Sequence, residues 1–272
     1  MSNATWPRVL SPGTLAPVLT VFVVLVHAPF AGAQELKRLG GIAESRIGEP
    51  LPAGWTVRSV RGQVPPTTSV ERIDNAPALA MRADSAAGQA WLELEDALEP
   101  EDLELLWEWR VTSHLPGAAL REMDRDDSPA RFFVVFGGGG LFGRPRVLFY
   151  SWGGAEEMHE DAFISHASDR LGVIVVRNAS DRLVTWVEER RSLTEDFRRV
   201  FGRDPDEVRA VGLMSDTDQL GGSSETHLRA IRLARRSADS DRPSCGLATG
   251  ILEPSRDSAS RTTRAICSPE PR

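Results

Sequence analysis

Leu105-Leu-Trp-Glu-Trp-Arg-Val-Thr112 alternates apolar and polar side chains with a period of two. Leu105, Trp107, Trp109 and Val111 fall on one face of an extended chain; Leu106, Glu108, Arg110 and Thr112 fall on the other. The segment therefore reads as a half-buried β-strand with two tryptophans toward a core.

Working outward, similar short runs separated by turn residues occur at 55–60, 68–74, 77–83, 89–95, 131–137, 145–152, 171–178, 182–191, 208–215 and 226–234. The run Val173-Ile-Val-Val176 is apolar on both faces and suits a central strand. One helix is predicted at 193–201. Ser192-Leu-Thr-Glu195 is a capping-box pattern, Leu193, Phe197, Val200 and Phe201 form an apolar stripe, and Gly202 with Pro205 supplies the stop. About ten or eleven strands against one helix, with no regular strand–helix alternation, give an all-β fold. A two-sheet β-sandwich of the jelly-roll kind follows.

The ends of the chain have a different texture. Arg8, an apolar run from Leu15 to Phe30 and the small-x-small exit Ala31-Gly32-Ala33 form the three parts of a secretory signal. The run falls short of the ~20 apolar residues of a spanning helix, so cleavage after Ala33 is expected and no membrane span remains. Residues 34–50 read as a lead-in, 51–234 as the sandwich and 235–272 as a disordered tail rich in Ser, Arg, Asp and Pro. The expected location is outside the cytoplasm, in the periplasm or the medium. The two cysteines, Cys245 and Cys267, both lie in that tail, where export would permit a disulfide. The domain itself thus carries neither a thiol nucleophile nor Cys ligands for zinc.

A formal net charge of −7 argues against nucleic acid, which calls for a basic patch. Gly137 to Gly140 reads as a turn, since Leu141-Phe-Gly-Arg-Pro145 does not open the helix that a phosphate loop needs. Residues 114–130 form a long polar connection of the kind that often carries function.

Carboxylates dominate the candidate chemistry. Asp126 and Asp127 in that loop, Arg131 just after it, and Asp216 and Asp218 at the end of a strand form the sharpest constellation. Clustered carboxylates on loops suit a hard cation such as calcium, with Asp126, Asp127, Asp216 and Asp218 as its ligands. A pair drawn from Asp127, Asp216, Asp218 and Glu188 also suits acid–base work on a glycosidic bond. The plainer alternative is turn and cap residues, with Arg131 pinning a loop through an Asp. Asp216-Thr-Asp218 matches a glycosyltransferase D-x-D signature, but the nucleotide-binding α/β domain is missing. His159 and His166 lie near Glu156, Glu157, Glu160 and Asp161 without a zinc spacing, and no G-x-S-x-G elbow is present.

Tryptophans offer the other route to a ligand. Trp152 precedes Gly153-Gly154 near a strand end, where an exposed ring stacks on a ligand, core burial being the alternative. Trp186, Glu188 and Arg190 share a strand face, with Glu189 on the other. An indole, a carboxylate and a guanidinium in one row suit a sugar-binding groove. Ligand contacts are accordingly assigned to Arg131, Trp152, Trp186, Glu188 and Arg190.

Several segments, in order, resemble the bacterial exported family catalogued as domain of unknown function 3047. They are Leu51-Pro-Ala-Gly-Trp55; Leu106-Trp-Glu-Trp-Arg-Val111; Asp126-Asp-Ser-Pro-Ala-Arg131-Phe-Phe-Val-Val-Phe136; Trp186-Val-Glu-Glu-Arg190; Asp196-Phe-Arg-Arg-Val-Phe-Gly202; and Met214-Ser-Asp-Thr-Asp218. The resemblance covers about residues 50–233 and implies a sandwich similar to galactose-binding-like carbohydrate modules. It implies no activity. The family continues Asp-Thr-Asp with Asn-Thr-Gly and later Trp-Tyr-Gly-Asp, where this chain has Gln219-Leu-Gly-Gly-Ser223 and Thr226-His-Leu-Arg-Ala230.

The expectation is an exported, non-catalytic binding module for a glycan or envelope component. A glycan hydrolase or lyase and a structural envelope interaction protein are the alternatives.

Overall fold

Period-two patterning becomes two facing sheets. The computed structural model describes residues 33–60, 62–137 and 144–236, all within one compact unit. The expected signal up to Gly32, glycines 138–140 and the tail with Cys245 and Cys267 lie outside the described residues. The strands are β1 (Ala33–Arg38), β2 (Trp55–Ser59), β3 (Thr67–Ile73), β4 (Ala76–Asp84), β5 (Ala87–Leu98), β6 (Leu103–Val111), β7 (Ser128–Phe136), β8 (Arg146–Trp152), β9 (Ala162–Ile164), β10 (Leu171–Arg177), β11 (Val187–Ser192), β12 (Val208–Asp216) and β13 (Ser223–Arg236), with helix α1 (Leu193–Phe201).

Sheet A has the order β11-β6-β13-β4-β3, with β1 also paired to β13. Sheet B runs β2-β5-β12-β7-β8-β10-β9. All pairings are antiparallel except β8 with β10. The chain crosses between sheets at β1–β2, β2–β3, β4–β5, β5–β6, β6–β7, β10–β11, β11–β12 and β12–β13, which is the jelly-roll sandwich expected.

The core sits between the sheets. Leu105, Trp107, Trp109 and Val111 point inward and are fully buried. Trp107 stacks on Phe132 of sheet B at 4.5 Å and 15°, and Trp109 meets Trp152 edge-on at 5.7 Å. The helix closes one end of this layer by laying Phe197 against Phe136 at 4.7 Å. Its caps follow the sequence: Ser192 Oγ accepts from Glu195 N–H, and Gly202, at φ 66°, donates to Arg198 O.

A second apolar layer covers the outer face of sheet B. Phe133, Val135, Phe149, Val173, Val175 and Met214 pack there with Leu120. Leu120 comes from the 114–127 connection, so this segment is not the polar loop expected. Leu115, Ala118, Ala119 and Leu120 are buried, and Glu157 anchors the segment by accepting from the N–H groups of Leu120 and Gly154. That layer also explains the doubly apolar Val173–Val176 run. β10 is next to the edge, not central, yet both of its faces are covered.

Three boundaries differ from the sequence reading. The lead-in contributes strand β1 from Gln34 on, paired as far as Arg38↔Arg232, and Ala33, the last residue of the expected signal, pairs with Arg236 ahead of it. β9 is a three-residue strand held on β10. The run at 182–191 is extended only from Val187, because Val184 takes a left-handed φ of 57° and donates to Val111 O.

Candidate functional site

Asp127, Asp216 and Asp218 converge. β12 carries Asp216 on its last residue, Asp218 follows two residues on, and Asp127 arrives on the segment entering β7. One carboxylate oxygen from each lies within 4.8 Å of the others. Asp127 is 1% and Asp216 7% exposed. Asp127 accepts from the backbone N–H groups of Gln219 (3.1 Å) and Leu220 (2.9 Å), which folds the 217–222 turn over it.

Arg131 and Asp126 border this cluster. Arg131, on the outer face of sheet B, donates to the Asp126 carboxylate at 2.7 Å and to its backbone carbonyl at 2.6 Å. Its guanidinium is 4.0 Å from Asp216. His166 Nε2 lies 2.8 Å from the other Asp126 oxygen. The expected four-carboxylate set is therefore three carboxylates plus an ion-paired Asp126.

Burial is the main cause that pushes the Asp216 carboxyl up to about 8; Asp218 and Asp127 add to it, and Arg131 opposes it. Burial also raises Asp127, against the pull of its two backbone N–H donors. Burial alone would lower Arg131, yet Asp126 and Asp216 raise it.

Carboxylates this close have the spacing of a retaining glycosidase, whose pair stands about 5–5.5 Å apart. Burial speaks against that chemistry here. Asp127 spends both oxygens on backbone N–H groups, and Asp216 is enclosed. Glu188 is far from them in the fold, on β11 of the other sheet.

The ligand-contact residues separate into two groups. Trp152 is fully buried against Trp109, and Arg131 is buried on Asp126. Neither side chain has the surface exposure that the expected ligand contact requires. The inward parity of Leu148, Tyr150 and Trp152 on β8 explains the tryptophan. Trp186, Glu188 and Arg190 do share the outer face of sheet A. Glu188 pairs with Arg232, Arg190 with Glu104 at 2.5 Å, and Glu189 turns inward to Trp109 Nε1 and Arg177.

Trp186 is half-buried and held from several sides. Its Nε1 donates to Asp74 at 2.9 Å, and the Arg229 guanidinium lies over its ring at 3.9 Å. Arg110 approaches at 5.6 Å, and Arg229 in turn binds Glu108 at 2.7 Å. Arg229 and Glu108 also line a cavity of about 430 Å³, together with Ile42, Pro77 and Arg232. Sequence reading missed Asp74, Arg110 and Arg229. The register Arg229↔Glu108↔Glu188 brings β13 into a row that β11 alone does not reveal.

His227 lies deeper on the same face and is 1% exposed. Arg110 Nε donates to its Nδ1 at 3.3 Å, which places the ring proton on Nε2, 3.3 Å from Glu225. Beside it, Arg82 bridges Glu71 and Glu225 and holds Glu71 down to about 2. Burial and Arg110 lower His227 from 6.5, while Glu225 and Glu71 partly offset them. A lowered folded pKa means that the unfolded chain binds the proton more readily. Stability is full above 6.5 and falls as pH drops from there toward the folded value. Urea midpoints at pH 7.5 and 5.5 check this: His227→Gln flattens that part of the fall, and an unchanged slope excludes His227 as its source.

Among solved structures, the chain is similar to a family 11 carbohydrate-binding module of the cellulosomal cellulase Lic26A-Cel5E of Clostridium thermocellum. The identity is 11% and the TM-score 0.40, over 76% of this chain and 95% of that one. It is similar to the xyloglucanase domain of NopAA, a type three effector from Sinorhizobium fredii, at 8% identity and TM-score 0.38, over 71% and 97%. A β-1,2-glucanase from Parabacteroides distasonis shows 11% identity and TM-score 0.38, over 68% of this chain and 24% of that one. No curated protein matches the chain in sequence. The family model described as a protein of unknown function (DUF3047) matches residues 53–232, most of the chain, and the chain belongs to that family.

Proposed function

We propose that the protein is a non-catalytic binding module acting outside the cytoplasm, and that it takes a glycan or another polyhydroxylated envelope component on the outer face of sheet A. One observation carries this reading: a half-exposed indole, Trp186, is held rigid by Asp74 and Arg229 beside a cavity whose walls include Glu108, Arg229 and Arg232. An apolar ring face next to fixed carboxylates and guanidinium groups suits a sugar, which offers C–H faces and hydroxyls together. Because the polar groups are already paired with one another, little ordering is needed on binding. Export rests on the Arg8, apolar-run and Ala31-Gly32-Ala33 pattern, and amino-terminal sequencing of secreted protein checks it.

Screening against cell-wall and extracellular polysaccharides tests the binding. Trp186→Ala is expected to weaken capture by about tenfold or more, the equivalent of ~1.4 kcal/mol, in a chain whose circular dichroism shows it still folded. No capture across the panel, or capture indifferent to Trp186, overturns the reading.

A further inference from the structure

We propose that Asp127, Asp216 and Asp218 form a calcium site at the rim of the sandwich, clamping the 114–127 segment to the end of β12. The site is separate from Trp186, which stands on the other sheet.

Charge is the first argument. Three carboxylates meet in a largely buried space, and the guanidinium beside them compensates their charge only in part. Arg131 bonds Asp126 at 2.7 Å and comes only to 4.0 Å from Asp216, and His166 also faces Asp126. Burying charge with only partial compensation is costly, and a cation held between the three carboxylates relieves it.

The second argument is independent of the clustering. The Asp216 side chain is only 9% exposed, and its Oδ1 has no hydrogen-bond partner in the protein. The buried Oδ1 of Asp218 has none either. Buried polar atoms are almost always satisfied, and a cation shared by the three carboxylates satisfies both of these oxygens at once.

The donor set favours calcium. It is all oxygen, with no His or Cys, as a hard cation requires. The oxygens lie within 4.8 Å of one another, which matches a sphere with Ca–O distances of about 2.3–2.6 Å. Carboxylates from two separate chain segments form the flexible, anionic cage that calcium accepts more readily than magnesium does.

The test uses the full chain stripped with a chelator. About 1 mM Ca²⁺ is expected to raise the melting temperature by at least ~4 °C, as for an ion well above its dissociation constant. Titration calorimetry gives one ion per chain. Asp218→Asn, the least buried of the three changes, abolishes both responses, whereas Trp186→Ala retains them. Calorimetry on the unaltered protein decides the matter even if Asp218→Asn fails to fold. No shift and no heat with Ca²⁺, an equal response to Mg²⁺, or a response that survives in folded Asp218→Asn overturns the site. Failure here leaves the glycan reading standing, because the two use different residues.

Discussion

Arg131→Met is expected to destabilise the protein by about 3–5 kcal/mol, the cost of removing one partner from a buried ion pair. Arg131 is 5% exposed and makes two hydrogen bonds to Asp126, one to its carboxylate and one to its carbonyl. The substitution keeps an unbranched apolar stem but removes the guanidinium and its charge. Among the described residues Asp126 then keeps His166 as its side-chain partner, and Asp216 loses the Arg131 guanidinium that opposes its upward shift. Urea denaturation of single and double variants measures the effect. Arg131→Met combined with Asp126→Asn should recover a substantial part of the loss, because the orphaned carboxylate is gone. A single-variant loss below about 1 kcal/mol would show that the pair is solvated and of little energetic consequence.

The same region shows how far the sequence could be read. Asp216-x-Asp218 and the Asp126-Asp127 pair are legible from residue type alone, since acids concentrated near strand ends rarely serve the core. Which of them converge is not legible, because it depends on the registers Asp216↔Ser128 and Met214↔Arg131 between strands some eighty residues apart. The exchange of Asp126 for His166 and Arg131 is likewise invisible, for His166 comes from the turn between β9 and β10 and has no spacing relation to the acids.

Local rules carried most of the fold. The α1 caps and the β6 alternation need only neighbouring residues, and both stand as expected. The failures have a common physical origin. β1 and β9 have little strand pattern of their own and exist because β13 and β10 present unpaired backbone edges to them. The 182–186 segment fails in the other direction. It has strand composition, but the turn at Val184 is fixed by a bond to Val111 on another element. Tertiary pairing overrides propensity at the sheet margins, where propensity is weakest.

Trp107→Ala tests the centre of that fold and should cost about 3–5 kcal/mol. Trp107 is fully buried and touches both sheets. Its ring stacks on Phe132 at 4.5 Å, tilts toward Tyr150 at 5.2 Å and meets Trp109 edge-on at 5.8 Å. Removing the indole leaves a void walled by three other rings, each carried on a different, fully paired strand or beside it on β6. Those strands cannot close the gap without breaking their ladders, so relaxation is limited and the cavity penalty stays near the upper range. Trp107→Phe keeps the stack on Phe132 and should lose roughly half as much. Thermal and urea unfolding, with near-ultraviolet circular dichroism to follow the aromatic cluster, distinguish the outcomes. If Trp107→Ala and Trp107→Phe lose equally little, under about 1 kcal/mol each, the cluster fills space without locking the two sheets together.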